Sequence, residues 1–147
     1  MKQFKGRVIT PGEVCAEAVV TKAGFNTLAS LQMALQFGDP EVKCGDQSNP
    51  ELYGKPLINT ALCLPQTIGS TTGGLVLYCA CSLGKNPACM LFANHIDSLA
   101  AAGAVLAGVW VDGVTMPVID SLGDEFLEYV KDGMKITVKA DGIVEVE

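Results

Sequence analysis

Ser70 is the residue whose neighbours point most directly to chemistry. It lies within Leu64-Pro65-Gln66-Thr67-Ile68-Gly69-Ser70-Thr71-Thr72-Gly73-Gly74. An apolar run from Ile58 to Leu64 precedes this segment and reads as a buried strand. A second run, Leu75 to Cys81, follows and reads as the body of a buried helix. Strand, glycine- and hydroxyl-rich loop, then helix aims backbone N–H groups and a positive dipole end at an anion. Ser70 would sit where those donors converge, its oxygen held near a negatively charged substrate. The same string also suits an ordinary turn with a capping residue. It is not a Walker loop, because no Gly-Lys-Ser/Thr follows at the required spacing. Nor is it a nucleophile elbow, because Ile68 stands where the first glycine of G-x-S-x-G belongs.

His95 is the sole histidine. A Ser70–His95–Asp97 triad would make the chain a hydrolase, a competing class of function. The commoner role for His95, just ahead of Ile96-Asp97-Ser98, is in capping or first-turn hydrogen bonding of a helix. The six cysteines are Cys15, Cys44, Cys63, Cys79, Cys81 and Cys89, with no C-x-x-C spacing among them. Cys63, Cys79, Cys81 and Cys89 fall in apolar runs, where free cysteine acts as a small hydrophobe. Cys79 and Cys81 would point to different faces of a helix. No metal site within this chain is expected.

The 147 residues fit one domain, spanning 1–147, with a substantial core. Mean hydropathy is positive, yet no uninterrupted apolar stretch approaches the roughly 20 residues of a membrane span. The start, Met1 to Gly6, lacks the apolar core of a signal peptide, which predicts a cytoplasmic protein with no membrane partner. A net charge of −6 with ten basic residues argues against nucleic acid. Arg7 is the sole arginine, so arginine forks around a carboxylate or phosphate must come largely from another chain.

The elements that would position Ser70 follow from the patterning. Phe4 to Val8 and Val14 to Val20 read as strands. Asn26 can cap a helix through Leu28, Leu31, Met33 and Leu35, while Lys22, Asn26 and Thr27 form either a turn before it or polar groups facing a pocket. Residues 38–56 read as a long ordered loop or a lid. In it, Asp46, Asn49 and Glu51 form either a solvated turn or contacts on the substrate side. After Pro87 a strand at Ala88 to Phe92, a helix through His95 to Ala102 stopping at Gly103, and a buried strand from Ala104 to Trp110 are expected. Val118-Ile119 is extended. A helix from Ser121 or Asp124 ends at Gly133, and Asp141-Gly142 joins Lys135–Lys139 to Ile143–Val146 as a hairpin. The whole describes a compact mixed α/β fold without repeats.

Read together, these strings resemble a known family. GSTTGGLVLY, then Asn86-Pro87-Ala88, then Ala102-Gly103-Ala104-Val105-Leu106-Ala107 look like the small subunit of aconitase X. Gly12-Glu13-Val14, Asp46 with Asn49-Pro50, Leu52-Tyr53-Gly54 and Pro117-Val118-Ile119 fit the same pattern. The resemblance spans Lys5 to Lys139. It implies a swivelling β/β/α domain, with a mixed or barrel-like β core and flanking helices. Such a domain closes over an iron–sulfur cluster held by a large catalytic partner subunit, and the chain itself would bind no cofactor. It implies that Ser70 is the base of a hydro-lyase, that the cluster is the Lewis acid, and that a small hydroxy acid is the substrate. Gly69, Thr71, Thr72, Asn26 and Thr27 are the expected substrate-binding residues.

Archaeal members, which dehydrate phosphomevalonate, commonly carry an arginine just before the Gly-Ser pair. Gln66-Thr67-Ile68 offers no cation there. That departure favours cis-3-hydroxy-L-proline, the substrate of bacterial members, with phosphomevalonate as the alternative. A non-catalytic binding or scaffold subunit is the remaining reading.

Overall fold

The computed structural model describes residues 1–147. Ten strands and four helices follow in order. They are β1 (Lys2–Lys5), β2 (Arg7–Thr10), β3 (Val14–Val20), β4 (Phe25–Asn26), α1 (Thr27–Gln36), β5 (Ala61–Leu64), β6 (Thr67–Ile68), α2 (Gly73–Ser82), β7 (Cys89–Phe92), α3 (Ser98–Trp110), β8 (Val118–Asp120), α4 (Asp124–Tyr129), β9 (Lys135–Val138) and β10 (Ile143–Val146).

Eight strands form one sheet in the order β1-β10-β9-β3-β5-β7-β8-β2. The β3-β5, β5-β7 and β7-β8 pairs are parallel and the remaining pairs antiparallel. The two edge strands are consecutive in sequence, separated only by Gly6. The sheet therefore curls until its edges nearly meet, and the Gly6 amide donates to the Gly142 carbonyl at 3.1 Å. The expected single strand Phe4 to Val8 is thus two strands broken at Gly6. A Cβ at Gly6 would overlap the Asp120 carbonyl oxygen, so only glycine allows the chain to cross there.

Strands β5 and β7 are buried on both faces, as apolar runs in parallel sheets tend to be. Leu62, Leu64, Met90 and Phe92 face the helices, packing with Phe25, Leu31 and Leu77. Ala61, Cys63, Cys89 and Leu91 face the inside of the curled sheet, with Ile119, Phe126, Val138 and Val146.

Two sequence expectations are corrected. The segment from Ala104 to Trp110 is not a strand: α3 runs unbroken through Gly103 to Trp110. Its buried residues, Ala100, Gly103, Ala104 and Ala107, recur at helical spacing. Gly103 is a contact point rather than a stop, because a Cβ there would overlap the backbone of Gly74 on α2. Residues 38–56 are ordered but do not hang free as a lid. Val42, Cys44 and Leu52 are buried in the core, and Asn49 donates to Thr21 at 3.0 Å while Thr21 donates to Glu51 at 2.9 Å. Asp46 and Asn49 are buried, so neither belongs to a solvated turn.

Candidate functional site

The N-terminal ends of three helices converge on one recess of about 220 Å³, lined among others by Thr27 of α1, Gly73 and Gly74 of α2, Ala100 of α3, and Gly69 and Ser70 between them. Strand pairing brings them together. The short parallel pair of β4 and β6 sets Phe25 beside Thr67 and Asn26 beside Ile68. That pairing fixes the start of α1 next to the Ser70 loop, and α2 follows directly from the loop.

The three ends differ in what occupies them. Asn26 Oδ1 accepts from the Ala29 amide at 3.1 Å and caps α1. Asp97 Oδ2 accepts from the Ala100 amide at 3.0 Å and caps α3. Helix α2 has no side-chain cap, and the Gly74 and Leu75 amides have no acceptor within the chain. Orphan first-turn donors of this kind are satisfied by water or by an anion.

Ser70 is exposed at this uncapped end. Its Oγ accepts from the Thr72 amide at 3.2 Å and lies 2.8 Å from Thr72 Oγ1. The Gly73 amide donates to the Ser70 carbonyl at 3.0 Å, closing a tight turn. The amide and the hydroxyl of Thr72 therefore both meet the serine oxygen from within its own loop. Charge on that oxygen would be partly stabilised, the requirement for a hydroxyl to act as a base.

The expected site residues divide as follows. Gly69, Ser70 and the buried Thr27 line the recess. Asn26 stands behind it as a cap, packed against Gly69. Thr72 does not line the recess but touches Ser70, Oγ1 to Oγ, at 2.8 Å. Thr71 lines a neighbouring apolar groove between α2 and α3, with Leu75, Leu106 and Trp110. Two polar residues of the recess lie outside the expected substrate-binding set, the sequence setting Asp97 beside Ser70 only as the third member of a hydrolase triad. The Thr67 hydroxyl donates to Asp97 Oδ1, tying the Ser70 loop to α3, and Asp97 itself lines the recess. Asp97 carried a sequence signal, an acidic residue just before an alanine-rich run. Thr67 carried none.

The hydrolase triad is not assembled. His95 is exposed and forms no hydrogen bond, and Asp97 is engaged by Thr67 and Ala100. Nor do the chain's donors fit an iron–sulfur cluster, for no three His, Cys, Asp or Glu side chains are grouped to hold a metal ion. Burial pushes the Cys63 thiol well up and the Cys89 thiol up to about 12, whereas a ligand must be a thiolate. Cys79, expected among the packed cysteines, is exposed, and Cys44 is buried instead. No helix is long and apolar enough to cross a membrane.

Residues 3–146 match the family described as the aconitase X swivel domain. The chain is 32% identical to the phosphomevalonate dehydratase small subunit of Aeropyrum pernix, covering 98% of this chain and 92% of that one. It is 30% identical to the protein of the same name from Methanocella arvoryzae, covering 98% of each. The crystal structure of Thermococcus kodakaraensis aconitase X, in its holo-form, superimposes with a TM-score of 0.81 at 26% identity, over 100% of this chain and 99% of that one. That match bears out the expected mixed α/β swivel architecture, with its nearly closed sheet and flanking helices. The chain belongs to the aconitase X swivel-domain family, as a small subunit of the aconitase X-type hydro-lyases.

Proposed function

We propose that this chain forms, as one swivel domain in the cytoplasm, the small half of a heterodimeric dehydratase in which Ser70 removes a proton from a carbon of a small hydroxy acid. The observation that carries this reading is the contact of Ser70 Oγ with both the amide, which donates to it, and the hydroxyl of Thr72, at the uncapped start of α2. In its deprotonated form the Ser70 oxygen, its charge held by the Thr72 amide and hydroxyl, takes the carbon-bound proton and becomes the neutral hydroxyl, while the C–H electron pair forms the C=C bond and the neighbouring hydroxyl leaves as hydroxide. Once protonated, Ser70 donates to Thr72 Oγ1. The free Gly74 amide, on the wall of the recess, suits a substrate carboxylate beside it.

The recess of about 220 Å³ is smaller than the roughly 300–1,000 Å³ of a usual ligand pocket. A second wall is needed, and a large catalytic subunit supplies it. The iron–sulfur cluster expected for this superfamily belongs on that subunit, since the donors here do not suit one.

For the substrate, the relatives' names support phosphomevalonate better than cis-3-hydroxy-L-proline. The second reading is kept for one specific observation: no cationic side chain lines the recess, where a phosphate would call for one. Co-expression with an aconitase X-type large subunit should yield a complex that survives moderate salt and dehydrates one of these two compounds. Failure to co-purify at both low and moderate salt would remove the two-subunit reading.

A further inference from the structure

Asp120 is the most deeply buried carboxylate of the chain, and proton removal by Ser70 makes no direct use of it. It ends β8, two strands across the sheet from β5, the strand that leads into the Ser70 loop. Both its oxygens are engaged. Oδ1 accepts from Arg7 Nε at 2.9 Å and from the Ser121 hydroxyl at 3.2 Å. Oδ2 accepts from Arg7 Nη2 at 2.6 Å and from the Ile96 amide at 2.8 Å. The last of these bonds reaches from β8 to the segment that joins β7 to α3. That segment is also gripped at Asn94, whose amide donates to the Pro65 carbonyl and whose carbonyl accepts from the Ser121 amide. Directly after Ile96 comes Asp97, which caps α3 through the Ala100 amide and accepts from the Thr67 hydroxyl. Thr67 lies three residues before Ser70. A continuous series of bonds therefore runs from Arg7 through Asp120 and the Ile96-Asp97 step into the loop.

We propose that Asp120 is a positioning residue for the dehydration: clamped by Arg7, it fixes the Asn94–Asp97 segment so that Asp97 holds Thr67, and with it the loop that presents Ser70. Charge-assisted bonds to a carboxylate are the strong, directional ones, and a fork from arginine leaves the carboxylate one orientation. Small displacements of a reacting group cost large factors in rate, so a clamp outside the recess can act on turnover. The proposal rests on Ser70 being the base.

Turnover of the two-subunit complex tests it, with phosphomevalonate or cis-3-hydroxy-L-proline as substrate, whichever the wild type dehydrates, well below the melt of every variant. Asp120→Asn keeps the shape but sets an NH2 group against N–H donors, and its kcat should fall at least about tenfold with KM within about threefold. Thr67→Val removes one hydroxyl at a partly exposed position and leaves the fold intact; its kcat should fall at least about fivefold. Damage to folding alone would multiply with that loss. Residues acting through one network are instead non-additive, so the double variant should turn over within about threefold of the slower single one. Arg7→Lys, which keeps a cation beside Asp120 but loses the fork, carries the same cycle if Asp120→Asn does not fold. A wild-type kcat in Thr67→Val would overturn the proposal, as would a double variant whose loss is the product of the single losses. Ser70→Ala is judged apart: its inactivity beside an unaffected Thr67→Val removes the positioning role alone, whereas normal turnover in Ser70→Ala removes the base.

Discussion

Asn26 lies so close over Gly69 that a methyl group on the glycine would stand 2.6 Å from Asn26 Nδ2. Gly69 also holds φ at +96°, a region L-residues rarely adopt. The cap of α1 and the turn that presents Ser70 are therefore locked to each other through a position that only glycine can fill.

Gly69→Ala should lower stability by about 1–3 kcal/mol, the usual size of a strained backbone position. Turnover by the assembled enzyme should fall more than tenfold, because relief of the clash displaces the adjacent serine. A thermal melt and a rate on the same preparation check both, and an unchanged rate would contradict the locking.

Helices α2 and α3 meet backbone to backbone at Gly74 and Gly103. A Cβ on Gly103 would overlap the Gly74 carbonyl, and one on Gly74 would overlap that of Leu99. Since neither obstacle is a side chain that can swing away, Gly103→Ala should cost at least the roughly 1–3 kcal/mol typical of overpacking. The melting temperature reports it. A melt equal to that of the wild type would mean the helices can separate without loss.

Asp120 is buried and paired with Arg7 through bonds of 2.9 and 2.6 Å, and it accepts from the Ile96 amide at 2.8 Å, just before the start of α3. Burial pushes its carboxyl up. The Arg7 hydrogen bonds, the Ile96 amide and the guanidinium charge outweigh that, and the carboxyl titrates below its ordinary range. A carboxyl lowered by folding contributes stability that is complete above its unfolded value, near 3.9. That contribution is lost as pH falls through the folded value. Arg7→Met should cost about 1–3 kcal/mol at neutral pH by leaving a buried acceptor unpaired, and the difference from wild type should shrink below about pH 4. Denaturant titrations across pH 3–7 would measure it; a difference that grows in acid would contradict the pairing.

How far the sequence reveals this structure depends on whether a signal is local. Strand Val14–Val20 and the Asn26 cap are present as expected, and the Asp141-Gly142 hairpin joins the strands predicted for it, because periodicity and turn chemistry reside in neighbouring residues. Helix α3 is not legible past Gly103, since a glycine, which ends many helices, here meets Gly74, a residue 29 positions earlier. The packing of residues 38–56 was equally hidden: Leu52 and Val42 find their partners on α1 and the sheet, and nothing nearby in sequence announces it. For the site, the loop string exposed Ser70 and Gly69. The Thr67–Asp97 bond spans 30 positions and emerges only once the fold brings the start of α3 to the Ser70 loop.

The most direct test of the account is the turnover of Ser70→Ala in the reconstituted two-subunit enzyme, with solvent exchange of the substrate's carbon-bound proton as a second readout. The substitution removes one exposed oxygen, so the melt should be nearly unchanged. Turnover and exchange should both drop by about a hundredfold to ten-thousandfold, the usual contribution of a general base, while His95→Ala, at an exposed residue without hydrogen bonds, keeps most of its activity. Near-normal exchange in Ser70→Ala together with its loss in His95→Ala would contradict the assignment of the base to Ser70.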